Sequence, residues 1–242
     1  MNYKCVIEYD GTDFCGWQFQ PNVRTVQGEF EKAIRKMTRS KIGVTAAGRT
    51  DSGVHAAGQV VNFQIDRDWA PVIVLKGLNS HLPDDILIKS VVVVPGDFNS
   101  RFDAVSRKYR YRLYNGRSAV KRNHFWCTDT SFEYSVVRLL SRKIMGNHDF
   151  ASFCVQKSQK ESNDCKVTKS CWTKHGKEYT FTIVANRFLH GMVRSLVGTM
   201  VKVAAGQLSE REFGELVSSP KRSSKVTTAP PQGLTLVKVD YK

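Results

Sequence analysis

The sequence has no apolar run near the ~18 residues that a bilayer-spanning helix needs, which argues against a transmembrane helix. It has no C-x-x-C pair. Cys5, Cys15, Cys127, Cys154, Cys165 and Cys171 are scattered, which argues against a zinc ribbon or a thioredoxin-like motif. Such cysteines, with no secretory leader before them, read as reduced, half-buried apolar residues. Met1-Asn2-Tyr3-Lys4 runs straight into a strand-like pattern, without the charged, apolar and small-residue stages of a signal peptide. A cytoplasmic protein is expected. The chain is also short of acid. Asp and Glu number 22 against 37 Lys and Arg, a formal net charge of +15. A folded protein this basic attracts a polyanion, and no separate basic amphipathic helix points to a membrane surface. Nucleic acid is the expected partner, although charge names no activity.

What is present reads as a globular chain. The 242 residues, 41% of them hydrophobic, suffice for one large domain or two of about 100–120 residues. Lys4 to Tyr9 reads as a strand ended by the turn Asp10-Gly11. Thr25 can cap a helix carrying Val26, Phe30, Ala33, Ile34 and Met37 on one face. Gln59 to Ile65 is a strand, Pro71 opens a helix over Val72 to Leu82, and Ile86 to Val94 is a β-branched run. Pro95-Gly96 marks a boundary, which predicts domains at 1–97 and 98–242. Beyond it Arg107 to Asn115 alternates, with Tyr109, Tyr111 and Leu113 on one face and Lys108, Arg110 and Arg112 on the other. A helix over Ser135 to Met145 stops at Gly146. Strands at Lys166–Thr173 and Glu178–Ala185 precede a helix from Leu189 to Ala205. Ser209 and Glu212 have capping-box spacing for a short helix. Ser218 to Gln232 reads as a basic loop, and Leu234 to Tyr241 as a closing strand. The expected class is α+β, with two domains of mainly antiparallel sheet and helices on one face.

Gly48-Arg49-Thr50-Asp51-Ser52-Gly53-Val54-His55-Ala56 can turn tightly and present a carboxylate. The same residues also suit an Asx turn in which Asp51 bonds its own backbone. A metal held by Asp51 and His55 lacks a third ligand. Arg194 lies on the helix Met192 to Val203, which is apolar nearly all round. A cation there needs a partner, either a structural acid, an active-site carboxylate or an RNA phosphate. The strand Ser106–Tyr114 interleaves cations with aromatics, as stacking on bases and pairing with phosphates require. A Tyr-lined core face accounts for Tyr111 and Leu113, while Tyr109 can reach a cleft. Each of Arg117, Lys121, Arg122, Lys221, Arg222 and Lys225 reads alone as a solvated surface charge, and together they suit a phosphate track. His148, Asp149 and Ser152 sit too close together for a hydrolase triad and lack a G-x-S-x-G elbow. His190 reads as a helix-start residue.

The Gly48–Ala56 loop resembles the signature of the TruA-type tRNA pseudouridine synthases. So do Tyr9-Asp10-Gly11-Thr12 with Gly16-Trp17-Gln18, Arg101-Phe102-Asp103-Ala104, Arg107-Lys108-Tyr109-Arg110-Tyr111, His148-Asp149-Phe150 with Ser152-Phe153, Met192-Val193-Arg194, and Ala229-Pro230 with Gly233-Leu234. Seven motifs in the family's order, between residues 9 and 241, make the likeness specific. It implies the pseudouridine synthase fold, with an active-site cleft between two domains. It implies isomerisation of uridine to pseudouridine at positions 38, 39 and 40 of the tRNA anticodon stem-loop, by base flipping. It also implies no metal, nucleotide or redox cofactor, and a homodimer with tRNA touching both subunits. By the resemblance Asp51 is the nucleophile, Arg194 pairs with it, and Tyr109 stacks on the flipped base and assists proton removal. Arg49 helps displace or hold the base, and Arg107, Lys108 and Arg110 contribute to substrate binding. The rival readings are a non-catalytic RNA-binding module, which explains neither the carboxylate loop nor the buried arginine, and an acid–base hydrolase built on Asp51 and the histidines.

Overall fold

A computed structural model describes residues 1–155, 162–218, 221 and 223–242. The chain folds as two compact units, Met1–Val105 with Leu236–Lys242, and Ser106–Thr235. This division differs from the boundary at 97/98 expected from Pro95-Gly96. Residues beyond that turn stay tied to the first unit: the Asn2 amide donates to Pro95 O (2.9 Å) and Phe98 O (3.0 Å), and Asn62 Oδ1 accepts the Ser100 amide (2.9 Å).

In the first unit β1 (Asn2–Tyr9) lies between β3 (His55–Gln64) and β4 (Ile86–Val94), antiparallel to both. The two-residue β2 (Thr45–Ala46) adds to β3, and β10 (Leu234–Tyr241) runs along β3 as well. Tyr3 opposes Phe63 and Cys5 opposes Val61, so one face of β1 and β3 is a continuous apolar surface. Helix α1 (Val26–Thr38) covers it. Thr25 Oγ1 accepts the Gly28 amide at 3.2 Å, and Phe30 meets Phe63 edge-on at 5.9 Å. Phe30 and Ile34 are fully buried, each contributing about 1.5–3 kcal/mol. Helix α2 (Pro71–Asn79) packs on β4. It ends before the expected Leu82 because the Asn79 side chain leaves the helix to pair with the backbone of Ile88, at 2.9 and 3.0 Å. β3 begins before the expected Gln59. Its opening residues, His55-Ala56-Ala57-Gly58, carry little β-propensity, and pairing with β1 recruits them.

In the second unit the strand order is β5 (Ala104–Asn115), β9 (Glu178–Ala185), β8 (Asp164–His175) and β7 (Gly146–Asp149), antiparallel throughout. The short β6 (Trp126–Thr128) pairs with β5 in parallel. Tyr109, Tyr111 and Leu113 oppose Ile183, Phe181 and Tyr179, so the alternation read in the sequence becomes one buried face. Helix α3 (Tyr134–Lys143) packs on β8 and on α4 (Met192–Ala204). Helix α4 starts later than Leu189 because a turn closed by the Met192 amide on Leu189 O precedes it. Helix α5 (Glu210–Ser218) has the expected capping box: Ser209 Oγ accepts the Glu212 amide at 3.2 Å, and Glu212 Oε2 accepts the Ser209 amide at 2.9 Å. The structure is therefore α+β, with mainly antiparallel strands. None of its described helices is long and apolar enough to cross a membrane.

Candidate active site

Asp51 sits, half-buried, on the loop between β2 and β3. A second loop, residues 10–18, braces it from beneath. The Trp17 amide donates to Thr50 O (3.0 Å), while Phe14 O accepts both the Gly53 amide (3.3 Å) and the Ser52 hydroxyl (3.1 Å). The turn itself closes through the Val54 amide to Asp51 O at 3.1 Å. The amides of residues 53 and 54, which an Asx turn on Asp51 would use, thus already have backbone acceptors. Gly16 makes the close fit possible. It has φ +86°, and a Cβ there would stand 2.9 Å from Thr50 O.

Below the loop, the Tyr9 hydroxyl lies 2.8 Å from Thr50 Oγ1 in a fully buried pair. Burial pushes the Tyr9 phenol up to about 12, against the opposing pull of its hydrogen bonds to Thr50 and Gln59. Tyr9 is therefore a neutral strut at physiological pH. The Gln59 amide also donates to Gly48 O at 2.7 Å. Arg24 clamps Asp85 with two bonds of 2.6 and 2.8 Å, its guanidinium 4.1 Å from the Phe14 ring centre. That holds Phe14, whose carbonyl receives Gly53 and Ser52. Buried His55 places Nδ1 3.0 Å from the Gly11 amide and 3.1 Å from Asp10 Oδ1, which ties it to the 10–12 turn. Arg49 projects into solvent beside this braced carboxylate.

Arg194 is a half-buried residue on helix α4, whose other residues except Lys202 are buried. Its Nε donates to Ala229 O at 2.8 Å, and the Ala229 amide returns a bond to Arg194 O at 3.0 Å. A carbonyl thus orients the guanidinium plane. The Tyr111 hydroxyl donates to Pro230 O at 2.8 Å, holding the same segment from the sheet side. Burial raises the Tyr111 phenol well above its ordinary value, and nearby Arg194 pulls it down.

Tyr109 is 8% exposed, with the Phe188 ring edge-on at 5.0 Å. Arg107 donates to Asn186 O at 2.8 Å. Lys108, Arg110 and Arg112 lie half-buried on the opposite face of β5 from Tyr109. The Nε atoms of Arg110 and Arg112 are buried without a hydrogen-bond partner. Arg112 falls below its ordinary value through burial and then through Arg110. Two cations of the expected phosphate track are engaged elsewhere: Lys121 pairs with Glu178 at 2.9 Å and Lys225 with Glu212 at 2.8 Å. Arg117, Arg122 and Lys221 are exposed, and Arg222 lies outside the described residues. The His148, Asp149 and Ser152 triad loses its parts. Asp149 caps the next turn by accepting the Ala151 amide at 2.7 Å, and Ser152, 1% exposed, exchanges bonds with the Lys221 backbone.

Residues 5–103 and 140–242 match the family model described as tRNA pseudouridine synthase. The chain belongs to this family. Its relatives named tRNA pseudouridine synthase A include that of Bradyrhizobium diazoefficiens, 38% identical over 242 residues, 99% of each chain. That of a Geobacillus species is 40% identical over 241 residues, 98% of this chain and 97% of the relative. That of Methylacidiphilum infernorum is 36% identical over 244 residues, 100% and 96%. The family isomerises uridine in tRNA to pseudouridine. The bonds that support the Asp51 loop from below are not legible in the sequence. Tyr9 enters only through its family motif, Gln59 looks like an ordinary strand residue, and Arg24 and Asp85 are 61 positions apart in the chain. Ala229-Pro230 was visible only as a family likeness, and the Ala229 carbonyl on Arg194 gives it a physical purpose.

Proposed function

We propose that this chain isomerises uridine to pseudouridine at positions 38, 39 and 40 of the tRNA anticodon stem-loop, with Asp51 as nucleophile. The reading is carried by a carboxylate on a rigid, doubly braced loop, in a chain similar to tRNA pseudouridine synthases over nearly its whole length. A stacked base is unreachable, so the uridine is flipped out of the helix. The N1–C1′ bond breaks, the uracil turns, and a C5–C1′ bond forms. The C5 proton leaves and N1 gains one, so mass is conserved and no redox partner is needed. Asp51 holds the pieces together as a covalent intermediate. Arg194, its plane preset by Ala229, supplies the counter-charge to Asp51. Tyr109 stacks on the turned uracil and assists removal of the C5 proton, and Arg49 holds the displaced base. Arg107, Lys108 and Arg110 bind the RNA backbone. The active unit is a homodimer, with one tRNA touching both subunits, and works in the cytoplasm.

The test is incubation of purified protein with an unmodified tRNA transcript and no added cofactor, followed by carbodiimide-dependent reverse-transcription mapping. Stops at positions 38–40 are expected. Tight binding without stops would indicate an RNA-binding module, and release of free uracil a hydrolase.

A further inference from the structure

Phe102 is 76% exposed. A lone exposed apolar residue needs no explanation by itself, but the backbone beneath this one is held from every side. Asn99 Oδ1 accepts the amides of Arg101 (3.0 Å) and Phe102 (3.2 Å). Asp103 Oδ2 accepts the Asn99 amide (2.8 Å), and the Asp103 amide donates to Asn99 O (3.0 Å). Ser100, fully buried, pins the loop to the sheet. Its amide goes to Asn62 Oδ1 (2.9 Å), its hydroxyl to Thr45 O (2.7 Å), and its carbonyl accepts the Tyr241 hydroxyl (2.7 Å). The loop is thus ordered in advance, while the ring it carries remains in water. Ordering before binding lowers the entropy cost of a contact. The Arg101 guanidinium stands 5.6 Å from the ring centre.

We propose that Phe102 and Arg101 form a stacking platform for an unpaired tRNA nucleotide other than the target uridine. The base lies on the ring and its phosphate meets the guanidinium. The proposal rests on the tRNA substrate argued above. The +15 charge favours a polyanion over a second copy of the same chain. Phe102 is also flanked by exposed Arg101 and Asp103 rather than by an apolar patch.

The experiment measures tRNA affinity and pseudouridine formation for wild type, Phe102→Leu and Phe102→Trp, with the sedimentation behaviour of each. Leu keeps apolar bulk and loses the π face, so its affinity should fall by about 5- to 150-fold, the equivalent of about 1–3 kcal/mol of stacking. Trp should bind within about threefold of wild type. A Leu variant that binds as wild type does overturns the platform. So does a Leu variant that binds weakly only because its oligomer has come apart, since Phe102 is then a subunit contact. Absence of turnover by the wild type in the same assay counts against the proposed reaction and is scored separately from the Phe102 comparison.

Discussion

The Tyr9 hydroxyl shares a buried bond with Thr50, the residue before the proposed nucleophile, and a second with Gln59. Tyr9→Phe leaves the ring and the packing but strands the Thr50 hydroxyl, at a cost of about 1–3 kcal/mol. Because the bond holds the loop rather than the RNA, kcat should fall while KM for tRNA stays near the wild-type value. An equal rise in KM would instead place Tyr9 in substrate binding. The Asp51 loop was legible in the sequence because its glycines and charged core make a recognisable turn. Tyr9 was visible only within the motif Tyr9-Asp10-Gly11-Thr12 of the family likeness, and its support of the loop was not, since a tyrosine ending an apolar strand reads as core. The buried hydroxyl pair is visible only once β1 and the loop are brought together.

At the scale of elements, α4 lies so close to the segment 227–229 that a Cβ on Gly198 would stand 2.3 Å from Thr227 O. Gly198→Ala must push that segment off the helix, and with it the Ala229 carbonyl that sets the plane of Arg194. Overpacking of this kind costs about 1–3 kcal/mol, so thermal unfolding should shift down. Turnover should fall further than tRNA affinity does. An unchanged Tm with full activity would mean that the segment is not needed to orient Arg194. Helix α5 carries a pH signature. Lys225 first, and then Ser209, hold the Glu212 carboxyl down at about 2. A depressed carboxyl stabilises the fold above its unfolded value and loses that contribution as pH falls through the folded value. The difference in denaturant midpoint between wild type and Glu212→Gln should therefore be full above about pH 5 and fade towards pH 2. A difference independent of pH would assign the effect to packing. The capping box on α5 and the Thr25 cap on α1 were both readable, because their partners sit three residues apart. β2, β6 and β7 were not, being two to four residues long and too short to show a period.

For the whole molecule, the excess of 15 positive charges should appear as counterion release. The logarithm of tRNA affinity should fall linearly and steeply with the logarithm of salt concentration, and a flat response would detach the charge from RNA binding. The α+β class followed from the sequence, since alternation and helical spacing are local signals. The return of the last strand to the first unit did not follow, because Leu234 to Tyr241 carries no mark of which strand it will pair with. The central claim, that Asp51 is the nucleophile of a pseudouridine synthase, is tested most directly by Asp51→Asn, which removes the charge and keeps the shape. Turnover on an unmodified tRNA transcript and tRNA affinity should be measured on the same preparation. The account predicts that pseudouridine formation is abolished while affinity stays within about threefold of wild type, because binding is spread over many phosphate contacts. Measurable pseudouridine formed by pure Asp51→Asn protein would contradict it.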